Sequence, residues 1–404
     1  MRQISQFSAV IGASSLLKRR SGVGRMTLEM IEAVRPRFND AALALLVDGR
    51  LRHPDAVLTS LPNDADLSSA LPHQIRALAL RAKGIIAGVP GAQKARSVKQ
   101  HMAHRRSLAA LRSAGGGRVV YHEPNMITEP FDGPTVVTVN DLSWHHHPDH
   151  HPKERLKWIG RHLRRSLDGA TRYVAISHFT FEAMIQELGL PADRIDIVPL
   201  AAAAHFTPKT RSATSQVLVK YGLMDRQYIL SVSTLEPRKN LDRLFAAHAS
   251  LPDKLRTRFP LVIVGGDGWG STLSNPAAER AFRTGLLRVL GYVPEADLVS
   301  LYARASAFAY VSVYEGFGLP VLEAMAAGTP VLASCTTGTG ETAGAAAAQV
   351  DPFDVDAIAV SLRHLVEDRL YAKRLSKLGL RRAAEFSWDR TATELIASWS
   401  RALG

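Results

Sequence analysis

The chain has 404 residues, a formal net charge of +13 and one cysteine, Cys335. That length suits two domains, each burying its own core. A lone cysteine excludes an intramolecular disulfide framework and fits a reducing, cytoplasmic compartment. No apolar run is long enough to span a bilayer. The run FSAVIGASSLL carries its basic cluster, Lys18-Arg19-Arg20, behind it, whereas a secretory signal carries one in front.

Near the start, Ser21-Gly22-Val23-Gly24-Arg25 precedes MTLEMIEAV, whose apolar spacing is helical. A glycine entry to a helix can face phosphate, and it fits a plain tight turn equally well. AALALLVDG, residues 41–49, reads as a buried strand. Positive charge then concentrates, with ten Lys or Arg and no Asp or Glu between Leu67 and His122. The basic segment 72–113 fits either a solvated helix face or a patch held to anionic lipid. It lacks the interleaved aromatics of a single-strand nucleic-acid site, so nucleic acid is not expected as a partner.

RVVYHEPNM and TVVTVNDLSWHHHPDHHP each read as a strand with polar residues at its C-terminal end, where open α/β sheets place their ligands. His122, Asn140 and Asp141 are therefore candidates for a cleft. The five histidines from His145 to His151 invite a metal reading, although clustering alone fixes no ligand geometry. YVAISHFTFEAMIQELG is a strand and then a helix, with Ser177 at the switch. Polar residues from Thr207 to Ser215 read as an interdomain connection. In YILSVSTLEPRKNLDRLF a strand ends at Ser231–Ser233 and a helix begins near Asn240. Arg238 and Lys239 fall in the turn between them, where two cations can hold a diphosphate or form a surface basic pair.

The stretch from Tyr314 to Pro330, YEGFGLPVLEAMAAGTP, organises the second half. An apolar strand over Ala305–Val313 precedes it. Gly316 and Gly318 allow close backbone approach, Pro320 suits the first turn of a helix over 319–327, and Gly328 with Pro330 ends that helix. Its N-terminus favours phosphate. Glu315 and Glu323 frame the unit, and each carboxylate can accept from a pair of hydroxyls, as the ends of a nucleotide sugar present. The same residues also fit a buried turn whose acids only cap and solvate.

This stretch resembles the E-x7-E signature of retaining glycosyltransferases of family 4, and similarity extends over most of the chain. The resemblance implies a GT-B fold: an α/β protein with two Rossmann-like domains facing across a cleft. An N-terminal acceptor domain would span residues 1–205 and a C-terminal donor domain 206–385, with residues 386–404 crossing back as a helix. It implies that Gly22 and Gly24 sit in a glycine loop near the donor diphosphate. Arg238 and Lys239 would take up leaving-group charge, and the backbone around Gly291 to Val293 would meet the base. Gly316, Phe317, Gly318 and Leu319 would fix sugar and phosphate, Glu323 the ribose and Glu315 the donor sugar. The family's usual histidine before Asp141 is Asn140 here, which cannot take a proton. His122 is the candidate to serve instead.

The implied activity is transfer of a hexose, with mannose from GDP-mannose as the best guess, to a hydroxyl of a lipid-linked or polysaccharide acceptor. The anomeric configuration is retained and no metal or other cofactor is needed. The implied location is cytoplasmic, peripheral at the inner face of the plasma membrane. A GT-B sugar-nucleotide epimerase and a non-catalytic GT-B scaffold are the alternatives. Asn140 favours the scaffold, and the paired acids oppose the epimerase.

Overall fold

A computed structural model describes residues 6–17, 22–61, 111–113, 116–266, 268–270 and 272–404. Of the basic segment 72–113, all but residues 111–113 lie outside the described residues, as does Ser21.

Two sheets carry the chain. The first has the order β3-β2-β1-β4-β5-β6-β7. Its strands are β1 (Ser8–Gly12), β2 (Leu43–Val47), β3 (Arg50–Arg52), β4 (Val119–Glu123), β5 (Thr135–Val139), β6 (Arg172–Ala175) and β7 (Ile195–Ile197). β1 pairs in parallel with β2 and β4, β4 does so with β5, and β3 returns antiparallel on β2. Every residue of β1, β2 and β5 is buried. Strands covered on both faces lose the alternating polar pattern, and SAVIG and LALLV read accordingly.

The second sheet is parallel throughout, in the order β10-β9-β8-β11-β12-β13. It is built from β8 (Ile229–Val232), β9 (Leu261–Val264), β10 (Leu287–Val289), β11 (Ala307–Tyr310), β12 (Val331–Ser334) and β13 (Ala348–Val350). The order reverses between β8 and β11, because the chain runs outward from each to opposite edges. At such a switch point the loops after the two strands splay apart and leave a crevice at their carboxyl ends. The loop after β8 carries LEPRKN and the loop after β11 carries YEGFG, so the topology alone brings them side by side.

By contacts the chain divides into two compact units. One comprises residues 1–138, 165–173 and 395–404, the other residues 139–164 and 174–394. In the first, Trp399 of the terminal helix (Trp388–Leu403) is fully buried, its ring 6.0 Å from Phe38 and 5.6 Å from His122. Within the polar stretch Thr207–Ser215, residues 211–215 open the helix Arg211–Lys220. Thr210 caps it by accepting from the Ala213 N–H, and Thr214 and Leu218 turn inward, so a polar composition conceals one buried stripe. No helix among the described residues is long and apolar enough to cross a membrane.

Candidate active site

The loop after β8 turns sharply. Pro237–Lys239 form a single 3-10 turn, and Asn240 takes the left-handed conformation at φ 59°. Asn240 tolerates it because its side chain is anchored, donating to the carbonyls of Val311 and Pro352 at 2.9 and 2.7 Å. The helix Leu241–Ala249 starts at once. Arg238 and Lys239 are thereby aimed back over the sheet instead of into solvent.

They meet Glu315 there. Lys239 Nζ lies 2.6 Å from Glu315 Oε1, and Arg238 NH1 lies 2.8 Å from Oε2. The Tyr310 hydroxyl, at the end of β11, closes a triangle at 2.9 Å to both Lys239 Nζ and Glu315 Oε1. Beneath the cations Glu236 pairs with Arg238 NH2 at 2.8 Å, and its side chain is only 3% exposed. Asp141 Oδ2 stands 3.9 Å from Arg238 NH1, while its Oδ1 accepts from the Ser143 N–H and hydroxyl. Two cations and two buried acids therefore cancel, with Asp141 at the margin. Burial raises the Glu315 carboxyl, but Arg238 and Lys239 overcome that and hold it down at about 2. Burial also lifts the Tyr310 phenol, with Glu315 adding to it, up to about 12. Burial and Arg238 pull Lys239 down, yet Glu315, Tyr310 and Glu236 outweigh them and raise it. All three groups thus keep their ordinary protonation at neutral pH.

The glycine loop is seated by main-chain contact. A Cβ on Gly316 would overlap the Asn140 carbonyl oxygen, and one on Gly338 would overlap the Gly316 carbonyl oxygen. That same Gly316 oxygen accepts from the Ser177 hydroxyl at 2.5 Å and from the Thr180 hydroxyl at 3.3 Å. Ser177 caps the helix His178–Leu188, whose first amides, of His178 and Phe179, donate to the Glu341 carboxylate at 2.9 and 2.8 Å. Gly318 at φ 98° precedes the helix Leu319–Ala326, with Pro320 in its first turn. Phe317 turns inward against the Phe386 ring. Glu323 is buried on that helix and accepts from the Tyr302 hydroxyl at 2.8 Å.

The structure thus brings together Asn140, Asp141, Arg238, Lys239, Glu315 and Gly316, with Phe317, Gly318, Leu319 and Glu323 continuing on the loop and helix. Gly291, at φ 67°, uses its carbonyl to accept from the Gly265 N–H at 2.9 Å, and the Val293 side chain is buried in the core. Two expectations need correction. Gly22 and Gly24 do not lie in a loop, because the helix begins at Gly22 and runs to Val34, and the Thr27 hydroxyl donates to Val23 within it. His122 is fully buried, 2.7 Å from the Thr138 hydroxyl and edge-on to Trp399. Burial lowers it to about 3, so it is a neutral core side chain and not a proton carrier.

The histidine run packs on aromatic and acidic neighbours. His146 stacks on Tyr314 at 4.9 Å, and His145 and His146 face Glu187 at 3.0 and 3.6 Å. Among the described residues no group of three or more His, Cys, Asp or Glu is placed to hold a metal ion. The residues that sequence reasoning missed are Glu236, Tyr310 and Tyr302. Glu236 was visible as the acid beside the cations in LEPRKN. The two tyrosines lie in apolar runs and read as core.

Two open sheets of mainly parallel strands, the second with a switch-point crevice whose loops hold two buried cations against a carboxylate, match the architecture of a GT-B protein. Accordingly, sucrose-phosphate synthase from Thermosynechococcus elongatus superposes with a TM-score of 0.67 over 98% of both chains, at 16% identity. The models for "Glycosyltransferase Family 4" and "Glycosyl transferases group 1" match residues 96–202 and 218–382. O-antigen chain mannosyltransferase B of Escherichia coli is 38% identical over 280 residues, 69% of this chain and 74% of that protein. The serotype-specific mannosyltransferase WbdA of Escherichia coli is 32% identical over 239 residues, 57% of this chain and only 28% of that longer protein. The chain belongs to the family 4 glycosyltransferases and is an enzyme of glycosyl transfer.

Proposed function

We propose that the chain moves mannose from GDP-mannose to a hydroxyl of a saccharide or lipid-linked acceptor, with retention and without a divalent metal. The cluster of Arg238, Lys239 and Glu315 carries this reading. In the reaction the bond from the anomeric carbon to the phosphate oxygen breaks and a bond to the acceptor oxygen forms. The acceptor's proton passes to the departing diphosphate. Negative charge grows on that leaving group, and Arg238, Lys239 and the helix N-terminus behind Gly318 are preorganised to take it up. Two fixed cations supply what a metal supplies elsewhere. Glu323 would accept from the ribose, and Glu315 would orient the sugar while holding both cations in place. The choice of mannose rests on the 38% identical mannosyltransferase.

Thermal-shift measurements against GDP, UDP and ADP and their sugars test the donor, since a ligand that binds only the folded state raises its stability. GDP-mannose should stabilise selectively, and a saccharide acceptor should then become labelled with mannose in an α or β form matching the donor. Stabilisation by another nucleotide alone would overturn the donor. Hydrolysis or transfer of no nucleotide sugar would favour the scaffold reading that Asn140 raises.

A further inference from the structure

The last histidine of the run, His151, is tied to Asp141 through a serine. Asp141 follows β5 and forms an Asx turn, its Oδ1 accepting from the Ser143 N–H at 2.9 Å. The same oxygen accepts from the Ser143 hydroxyl at 2.7 Å. The chain then makes a short helix, Ser143–His146, and a 3-10 turn, Pro148–His150. The His151 N–H closes that turn on the Pro148 carbonyl at 3.0 Å. The two turns fold His151 back over their own start. Its Nε2 stands 3.1 Å from the Ser143 hydroxyl, and the residue is only 7% exposed.

Counting protons leaves one arrangement for these three groups. A carboxylate only accepts, so the single Ser143 proton points to Asp141. The Ser143 oxygen then needs a donor, and His151 Nε2 must carry the proton. Burial, with Arg155 and Arg238 adding to it, lowers the imidazole's hold on a second proton, although Asp141 and Glu236 pull the other way. Nδ1 is therefore the bare nitrogen, buried and without a hydrogen-bond partner among the described residues. A buried acceptor left unpaired is costly, and a phenylalanine would fill the space without that cost. What the imidazole supplies in return is the donor on Nε2. On the far side of the carboxylate, Asp141 Oδ2 faces Arg238 NH1 at 3.9 Å, too far for a hydrogen bond. With Oδ1 committed to Ser143, the carboxylate is held from swinging onto Arg238. Oδ2 thus keeps its acceptor sites for a hydroxyl arriving beside the cations.

We propose that His151 is a positioning residue: through Ser143 it fixes Asp141, whose Oδ2 accepts from a substrate hydroxyl, a role that rests on the transfer reaction proposed above. Nitrogen NMR of protein labelled with [15N]histidine reads the tautomer without any turnover. The resonances missing from His151→Phe identify His151, and the neutral Nε2–H form is expected; the Nδ1–H form would overturn the proposal. His151→Phe should hold its thermal midpoint, since an apolar ring removes the bare Nδ1. Its kcat should nevertheless fall about tenfold, the loss of roughly one hydrogen bond. His151→Gln, whose side-chain amide can donate from a similar place, should recover most of that loss. Ser143→Ala should also be about tenfold slower, and S143A/H151F no slower than S143A, because both act through one carboxylate. Donor hydrolysis measured without acceptor locates the hydroxyl. A loss in transfer alone assigns it to the acceptor, and an equal loss in both assigns it to the donor sugar. A wild-type rate in His151→Phe, a His151→Gln no faster than His151→Phe, or losses that multiply in the double variant would overturn the proposal. Should His151→Phe fail to fold, His151→Gln identifies the resonance and Ser143→Ala carries the rate comparison, where a wild-type rate would be equally fatal. Failure of the transfer reading shows differently, as a wild type inactive with every nucleotide sugar.

Discussion

Replacing Glu315 by Gln removes the charge that links Arg238, Lys239 and Tyr310 while keeping the side chain's size. The Glu315 side chain is 11% exposed, and its carboxylate accepts from three donors at 2.6 to 2.9 Å. Its fall from 4.5 to about 2 corresponds to about 3 kcal/mol of differential interaction with its surroundings. A carboxyl depressed in the folded state contributes stability that is fully present above its unfolded value. That contribution is lost as pH falls through 4.5 toward 2. Glu315→Gln should therefore cost about 3 kcal/mol at pH 7, in the range expected when a buried ion pair loses one partner. Near pH 3, where the wild-type carboxyl has lost about half of its advantage, the gap should narrow to about half. Urea unfolding of both proteins at the two pH values, fitted with as many transitions as the chain displays, measures this directly. A gap below about 1 kcal/mol at pH 7, or one independent of pH, would refute the view that Glu315 is the clamp on both cations.

Glu323→Ala should weaken nucleotide binding by about 1–3 kcal/mol, because it removes a charged acceptor. Calorimetry giving unchanged affinity would remove Glu323 from the donor site. Gly316→Ala should abolish turnover, since its methyl group overlaps the Asn140 carbonyl and the loop must shift to admit it; near-wild-type kcat would show that the loop's position does not matter. Turnover should persist in EDTA, and loss of activity restored by Mg²⁺ or Mn²⁺ would place a metal in the reaction.

Much of this was legible in the chain because the relevant signals are local. Buried parallel strands announce themselves as short apolar runs, and glycine, proline and glycine again bound the helix Leu319–Ala326 in sequence as in space. Arg238, Lys239 and Glu315 could be named because each sits in the loop that follows a strand. What failed was the environment of single residues. His122 occupies a strand end, yet whether such a ring faces ligand or core depends on Trp399, which lies 277 positions away. Gly22 and Gly24 were placed in a loop by the family resemblance, and here they lie within the helix Gly22–Val34. Tyr302 and Tyr310 went unnoticed because a tyrosine inside an apolar run reveals its hydroxyl's partner only once the fold is known.

The contacts among Asn140, Gly316 and Gly338 are made by main chain against main chain. Where side chains touch, a substitution can be absorbed by choosing another rotamer, and the penalty grows gradually with size. Between two backbones there is no rotamer to choose, so the first added carbon meets the full resistance of both segments. Tolerance to substitution along this seam should fall as a step and not a slope, with Ala nearly as damaging as Val. The loop that carries Glu315 is thus registered by the course of the chain itself as well as by the hydroxyls of Ser177 and Thr180 on the Gly316 carbonyl.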